Sequence, residues 1–134
     1  MIESQTALIY TMVLVSAADS EMSDAELTRM GEIVRQLPVF SGFDPDLLAD
    51  VAQECAETLA QEDGLNVALG QIRTALPDTL RETAYVLACD IAIADLKASQ
   101  EELRLLEMLR HSLNLDRLNA AAIERAARAR YTTG

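Results

Sequence analysis

The feature that most constrains this chain is a short segment that occurs twice, at an offset of 76 residues. Residues 18–27 read ADSEMSDAEL and residues 94–103 read ADLKASQEEL, and five of the ten positions are identical. The likeness continues downstream as a matching apolar pattern, in which Met30, Ile33 and Leu37 align with Leu106, Leu109 and Leu113. Self-similarity at a fixed offset indicates related structural units. We therefore expect two helix–loop–helix halves.

The runs around both copies have helical periodicity, and no segment alternates with period two over a useful length. Only five Gly and three Pro are present, so tight turns are few. Helices are predicted at about residues 3–18, 24–37, 45–60, 63–76, 79–94, 100–113 and 117–130. The first has one apolar stripe, whereas the fifth is apolar nearly all round from Tyr85 and should be central. The sequence predicts an all-α fold, a single compact bundle of about seven helices forming one domain over residues 1–134.

Three details of these helices follow from local patterns. Asp63 is expected to cap the fourth helix. Leu27 falls at helical spacing among the apolar residues of the second helix, and the sixth helix is expected to bury Leu103.

The acidic excess lies entirely in the first half of the chain. Residues 1–66 hold thirteen acidic and two basic side chains, a net charge of −11, whereas residues 67–134 hold nine of each. Nucleic acids and anionic membranes attract the opposite sign, so neither is an expected partner. The four arginines of the last helix are interpreted as ion-paired surface positions: Arg117, Arg125, Arg128 and Arg130.

Cys55 and Cys89 each lie in an apolar helical run without a CxxC partner or a histidine at ligand spacing. Both are interpreted as reduced core thiols. The apolar run over residues 7–18 is too short to span a bilayer, and no signal peptide is recognisable. We therefore expect a cytoplasmic protein without a transmembrane segment.

Part of the repeat has a purely structural explanation. Ser-x-x-Glu immediately before an apolar periodic run is a capping box, in which serine and glutamate each bind the other's backbone amide. Ser23 with Glu26, and Ser99 with Glu102, fit this pattern. Each cap should contribute about 1 kcal/mol to its helix. The capping box therefore explains the repeated Ser and Glu without any ligand.

The capping box does not explain Asp19 and Asp95, each four residues before the capping serine. An aspartate at the C-terminus of a helix opposes the helix macrodipole. Two interpretations stay open: the carboxylate binds amides of the following loop, or it ligates a hard divalent cation together with Glu26 or Glu102. Oxygen ligands in a short loop suit calcium or magnesium.

The first junction also resembles the start of an EF-hand loop, since Asp19, Glu21 and Ser23 occupy its first three ligand positions. Asp24 stands where that loop requires glycine, and Met30 where it requires the terminal glutamate. An EF-hand is therefore excluded.

On these two junctions, Ala18 to Leu27 and Ala94 to Leu103, the chain resembles the TerB-like family of tellurite-resistance proteins. The similarity covers nearly the whole chain, residues 6–131. The resemblance implies a bundle of about seven helices in two related halves and a link to tellurite and other stress resistance. It also implies acidic junctions of the kind proposed to bind metal in this family.

The junctions depart from the family pattern, which usually has glycine after the aspartate. Ser20 and Leu96 stand there instead, so the loops should close differently. Lys97 replaces the counterpart of Glu21, which disfavours a metal in the second junction and offers Asp95 a partner. A site should centre on the first junction or be shared between both, with these candidate metal ligands: Asp19, Glu21, Glu26, Asp95 and Glu102.

Two other ionisable residues were considered. Asp90 interrupts the apolar fifth helix, and it either pairs with an arginine or marks a wet face, or is a functional carboxylate with a raised pKa. His111, the one histidine, lies near a helix C-terminus, where a capping or surface role is expected. A single histidine excludes a His-rich zinc site within one chain, and no catalytic triad or phosphate-binding glycine loop is recognisable.

Three functions are compatible with these observations. The first is a non-enzymatic binding module that binds a divalent cation (Ca, Mg, Mn or Zn) at its acidic junctions or docks protein partners in a stress response. The second is a metal-dependent hydrolase using carboxylate clusters, against which Lys97 and the shortage of histidine weigh. The third is a purely structural interaction domain whose acidic half meets a basic partner. Whether the chain forms a homodimer is left open by the sequence.

Overall fold

The computed structural model describes residues 1–18, 23–93 and 98–134, and every regular element in those ranges is helical. The predicted all-α fold is confirmed. Three short 3₁₀ helices cover Pro38–Phe40, Pro45–Leu47 and Asp78–Leu80. The seven α-helices are α1 (Ser4–Ser16), α2 (Asp24–Gln36), α3 (Leu48–Leu59), α4 (Gly64–Ala75), α5 (Arg81–Ile93), α6 (Gln100–Ser112) and α7 (Arg117–Tyr131).

Helices α1 and α5 form the centre of the bundle and pack against each other. Every side chain from Ala7 to Ser16 is buried in α1, and every one from Leu87 to Ile93 is buried in α5. The central position predicted for α5 is confirmed, but the single stripe predicted for α1 is wrong because its whole circumference is covered. Helices α3 and α4 pack on α1, and α6 and α7 pack on α5. A helix that is apolar all round needs such neighbours on every side.

The ends of the helices follow local chemistry, with one exception. Helix α2 ends just before Pro38, and the side chain of Asp44 accepts a hydrogen bond from the amide of Asp46 at 3.0 Å. Asp63 does precede α4, but it adopts a left-handed conformation (φ 57°) and makes no side-chain cap. Its Oδ1 instead accepts from Nδ2 of Asn66 at 2.8 Å. The capping role predicted for Asp63 is therefore wrong.

The burial predicted for Leu103 is also wrong, and Leu27 at the equivalent position of α2 is exposed as well. Leu27 is 37% exposed and Leu103 is 41% exposed. Each is the fourth residue of its helix. Residues on the same side one turn later, such as Met30 and Leu106, are buried in the core. Periodicity predicts which side of a helix faces the core. It does not predict how far along the helix the neighbouring helices extend.

Two glycines of α4 provide a matched test of packing. A Cβ on Gly64 would overlap the carbonyl oxygens of Thr58 and Leu59, whereas a Cβ on Gly70 would meet nothing within 4 Å. We expect Gly64→Ala to lower the free energy of unfolding by about 2 kcal/mol. We expect Gly70→Ala to raise it by about 0.5–1 kcal/mol, because alanine favours a helix interior. Urea denaturation of both variants measures these changes. If both substitutions changed the free energy of unfolding by the same amount, the close packing of Gly64 against the end of α3 would be contradicted.

Candidate functional site

The two acidic junctions connect α1 to α2 and α5 to α6. Within the described residues, the first junction is bounded by Ala18 and Ser23, and the second by Ile93 and Ala98. Two of the predicted ligands, Glu26 and Glu102, are therefore described. The other three ligands, and the residues that depart from the family pattern, lie outside the described residues: Asp19, Glu21, Asp95, Ser20, Leu96 and Lys97.

Both predicted capping boxes are present. The amide and the hydroxyl of Ser23 each donate to Oε1 of Glu26 at 3.0 Å, and the Glu26 amide donates to the Ser23 hydroxyl at 3.1 Å. In the second junction, the Ser99 amide donates to Oε1 of Glu102 at 3.0 Å, and the Glu102 amide donates to the Ser99 hydroxyl at 3.1 Å. The repeated Ser and Glu therefore have the same structural role in both halves.

The caps also determine how the glutamates face the junctions. Glu26 is 8% exposed and Glu102 is 7% exposed, so each carboxylate is buried where its loop joins the helix. The cap of Glu26 uses Oε1 for both bonds from Ser23. A carboxylate can accept about four hydrogen bonds or ligand contacts. A cation in the first junction would therefore be reached through Oε2 while the cap stays formed.

Close to these junctions, four side chains join α2, α5 and α7 in an arrangement that we call the clasp. Nη1 of Arg130 lies 2.7 Å from Oδ1 of Asp90. Nη1 of Arg29 donates to the hydroxyl of Tyr131 at 2.7 Å, and the Arg29 guanidinium carbon lies 4.8 Å from the centroid of the Tyr131 ring. A cation over an aromatic face adds about 0.5–1 kcal/mol at a partly exposed site.

The clasp shows that both junctions leave the bundle at the same end. Arg29 is the sixth residue of α2, Asp90 lies three residues before the end of α5, and Arg130 and Tyr131 end α7. At about 1.5 Å per residue, the start of α2 and the end of α5 each lie within two helical turns of the clasp. The flanks of the two junctions therefore lie at the same end of the bundle, which a shared site would require.

Asp90 is explained by its partner. It is 7% exposed, and burial raises the pKa of its carboxyl group, whereas the charges of Arg130 and then Arg29 oppose that rise. The predicted pairing with an arginine is confirmed. Asp90 thus holds α7 against α5 as a carboxylate in an ion pair, which is a structural role.

The remaining candidates of the sequence analysis also have structural explanations. Cys55 and Cys89 are free and buried, and burial raises the pKa of each thiol to about 12. Thiols with such pKa values are unreactive at neutral pH, which fits the predicted core role. His111 is exposed, with Nε2 at 3.2 Å from Nη2 of Arg110. Of the four arginines of α7, Arg130 is ion-paired as predicted, and the other three are exposed.

Within residues 1–18, 23–93 and 98–134, no group of three His, Cys, Asp or Glu side chains is arranged to hold a metal ion. A metal site at the junctions would therefore need acids from residues 19–22 or 94–97. Among the same described residues, no helix is both long and apolar enough to cross a membrane.

Sequence reasoning missed Arg29 and Tyr131, which lie 102 positions apart in the chain. An ion over an aromatic ring leaves no periodic or spacing pattern. The position of Arg29 in the strongly acidic first half was the one available indication, because only two basic residues occur there.

The ion pair of the clasp gives a pH-dependent prediction. In Arg130→Met, Asp90 stays buried without its partner. We therefore expect the free energy of unfolding at about pH 7 to fall by about 2 kcal/mol. The pKa of the folded-state carboxyl then rises further above its unfolded value. Because a raised carboxyl pKa costs stability only above the unfolded pKa, the deficit should shrink towards pH 4.

Urea denaturation at about pH 7 and about pH 4.5 measures this deficit. Arg125→Met, at an exposed position of the same helix, is the control and should change stability little. A deficit of equal size at both pH values would show that the ion pair is not its cause.

A family model described as tellurite resistance protein TerB matches residues 5–126 of the 134-residue chain. No match was found among curated proteins or among solved structures. The matched range begins in α1 and ends in α7, so it contains both capped junctions and the central helix pair. The resemblance inferred from the two junctions is confirmed, and the chain belongs to the TerB family.

Proposed function

We propose that this protein is a non-enzymatic binding module that holds a divalent cation at its first acidic junction and docks a protein partner. The observation that carries the proposal is the position of two capped helix starts, each with a buried glutamate, at the same end of the bundle. Buried Glu26 would supply one ligand, and Asp19 and Glu21 of the preceding loop would supply the others.

The donor chemistry supports a hard cation. Asp19, Glu21 and Glu26 offer carboxylate oxygens, which suit calcium, magnesium or manganese. Zinc prefers nitrogen and sulfur ligands, and both thiols of this chain are buried in the core. When bound, the cation would offset part of the repulsion among the acids of the first half.

The first junction is favoured over the second by charge. Lys97 occupies the position that Glu21 has in the first copy, so the second loop carries a cation of its own. We propose that Asp95 and Glu102 contribute less to cation binding than Asp19 and Glu21. A shared site would still draw on Asp95, since the flanks of both loops lie at the same end of the bundle.

Several observations favour binding over catalysis. The thiols are buried with a pKa of about 12, the one histidine is exposed beside an arginine, and Asp90 is held in an ion pair. None of these groups is placed as a nucleophile with an adjacent base. The family's description connects the chain to tellurite resistance, and we propose that it acts there by binding a cation and a partner.

A cation titration tests the proposal. We expect calcium, magnesium or manganese to bind with a measurable heat and to raise the melting temperature, because binding to the folded state stabilises it. Asp19→Asn and Glu21→Gln should each weaken binding by about tenfold or more, the equivalent of about 1.4 kcal/mol. Asp95→Asn should weaken it less.

Glu62→Gln is the matched control, since Glu62 is an exposed acid of the same half outside both junctions. Equal losses in Glu62→Gln and Glu21→Gln would show that the cations respond only to net charge. The absence of any heat or melting shift with all four cations, zinc included, would refute the cation site.

The hydrolase alternative makes a different prediction. If carboxylates at the junctions activated a metal-bound water, ester or phosphoester turnover would require metal and would be lost in Asp19→Asn. We expect no turnover above background with model esters at any metal concentration. Metal-dependent turnover that Asp19→Asn abolishes would replace the binding module with a hydrolase.

A further inference from the structure

A shallow groove of about 530 Å³ lies between α2 and the segment that leads into α3. Its walls include the exposed side of α2 on one flank and the start of α3 on the other. Its lining includes Leu27, Gly31, Glu32, Asp46, Leu48 and Ala49. The groove is separate from the hydrogen bonds of the capping box, although α2 contributes to both.

The apolar lining of the groove is accessible at Leu27, Leu48 and Ala49 and buried at Gly31. Leu27 is 37% exposed, Leu48 is half-buried, and Ala49 is exposed. Gly31 leaves the middle of α2 without a side chain, at a cost of about 1 kcal/mol relative to alanine. The guanidinium of Arg35 lies over it, with Nη1 at 3.2 Å from where a Cβ would be. An incoming helix could approach this stretch closely once that flexible side chain moves aside.

The rim of the groove is acidic. Exposed carboxylates stand on both flanks, Glu32 and Asp46 in the lining and Asp24 and Asp50 in the adjoining turns. Arg35 is the one basic residue of the lining. An apolar floor between two acidic rims is complementary to a helix with one apolar stripe and basic flanks.

The counterpart position in the second half differs in charge. Leu103, 41% exposed, lines the cavities of about 380 and 240 Å³ that lie between α6 and α7. Two acids and two arginines surround those cavities, so their charges balance within the chain: Glu107, Glu124, Arg110 and Arg128. The lining of the groove beside Leu27 holds two acids and one arginine, so it keeps an excess of one negative charge, which favours a cationic partner.

We propose that the groove beside Leu27 docks a basic amphipathic helix of a partner protein. This inference names the surface and the partner chemistry for the docking role in the proposed function, on which it rests. Apolar side chains of the partner would cover Leu27, Gly31 and Ala49, and its lysines or arginines would face the acidic rims. A second copy of this chain is disfavoured because every copy carries a net charge of −11.

The test uses a synthetic amphipathic helix of about 18 residues, built from leucine and lysine with leucine at helical spacing. Its binding to the full chain is followed by fluorescence anisotropy at about 0.15 M salt. We expect Leu27→Asp to weaken binding by about tenfold or more, although the substitution adds a negative charge. Ala49→Glu, at an exposed position of the floor, should weaken it likewise.

The matched control is Val67→Asp. Val67 lies on α4 and is 38% exposed, so this substitution adds the same charge at a site of equal exposure away from the groove. Binding to Val67→Asp should equal or slightly exceed that of the unmodified chain. If Leu27→Asp and Val67→Asp behave alike, the peptide responds to net charge alone and the groove proposal is overturned.

Two further measurements separate this inference from the cation site and from self-association. Leu27→Asp should bind cations as the unmodified chain does, and Asp19→Asn should still bind the peptide. Loss of peptide binding with cation binding intact therefore concerns the groove alone. Analytical ultracentrifugation of the chain by itself should give a monomer, and a dimer that Leu27→Asp abolishes would assign the groove to a second copy instead.

Discussion

The packing of α1 against α5 is the constraint on which the rest of this structure depends. Each helix is buried around its whole circumference over most of its length, so neither can lie at the surface. The other helices therefore cover this pair, with α3 and α4 on α1 and with α6 and α7 on α5. Since the acidic junctions directly follow α1 and α5, the central pair also determines where both acidic loops begin.

The repeat combines a structural part and a part that is available for binding. The Ser–Glu pairs form capping boxes in both halves, so these residues would be required even if the protein bound nothing. The caps do not explain Asp19, whose carboxylate follows α1 and opposes the dipole of that helix, so binding to amides of the loop and binding to a cation both stay open. The clasp adds a further link, since Arg29 and Arg130 hold α2 and α7 beside the same end of α5. The caps and the clasp thus give Ser23, Glu26 and Arg29 structural roles within one short segment.

The parts of the fold that depend on neighbouring residues could be predicted from the sequence, and the parts that depend on distant ones could not. Capping at Ser23 and Ser99 and the interruptions at the prolines are local, and all were found where the sequence indicated. The exposure of Leu27 and Leu103 depends on where the neighbouring helices end. The apolar periodicity of the sequence does not predict this. The pairing of Asp90 with an arginine could be predicted as a type of contact, but the choice of Arg130 required the packing of α7.

The surfaces beside the two capped helices α2 and α6 differ in charge. In the second half, α7 lies beside the exposed leucine and brings arginines that balance the nearby acids. Beside α2, the exposed Leu27 adjoins a groove that is lined by two acids and one arginine. Charges separated by less than the Debye length of about 8 Å still interact at physiological salt. The acidic excess beside Leu27 therefore favours a basic partner at that surface, whereas the charges beside Leu103 are balanced within the chain.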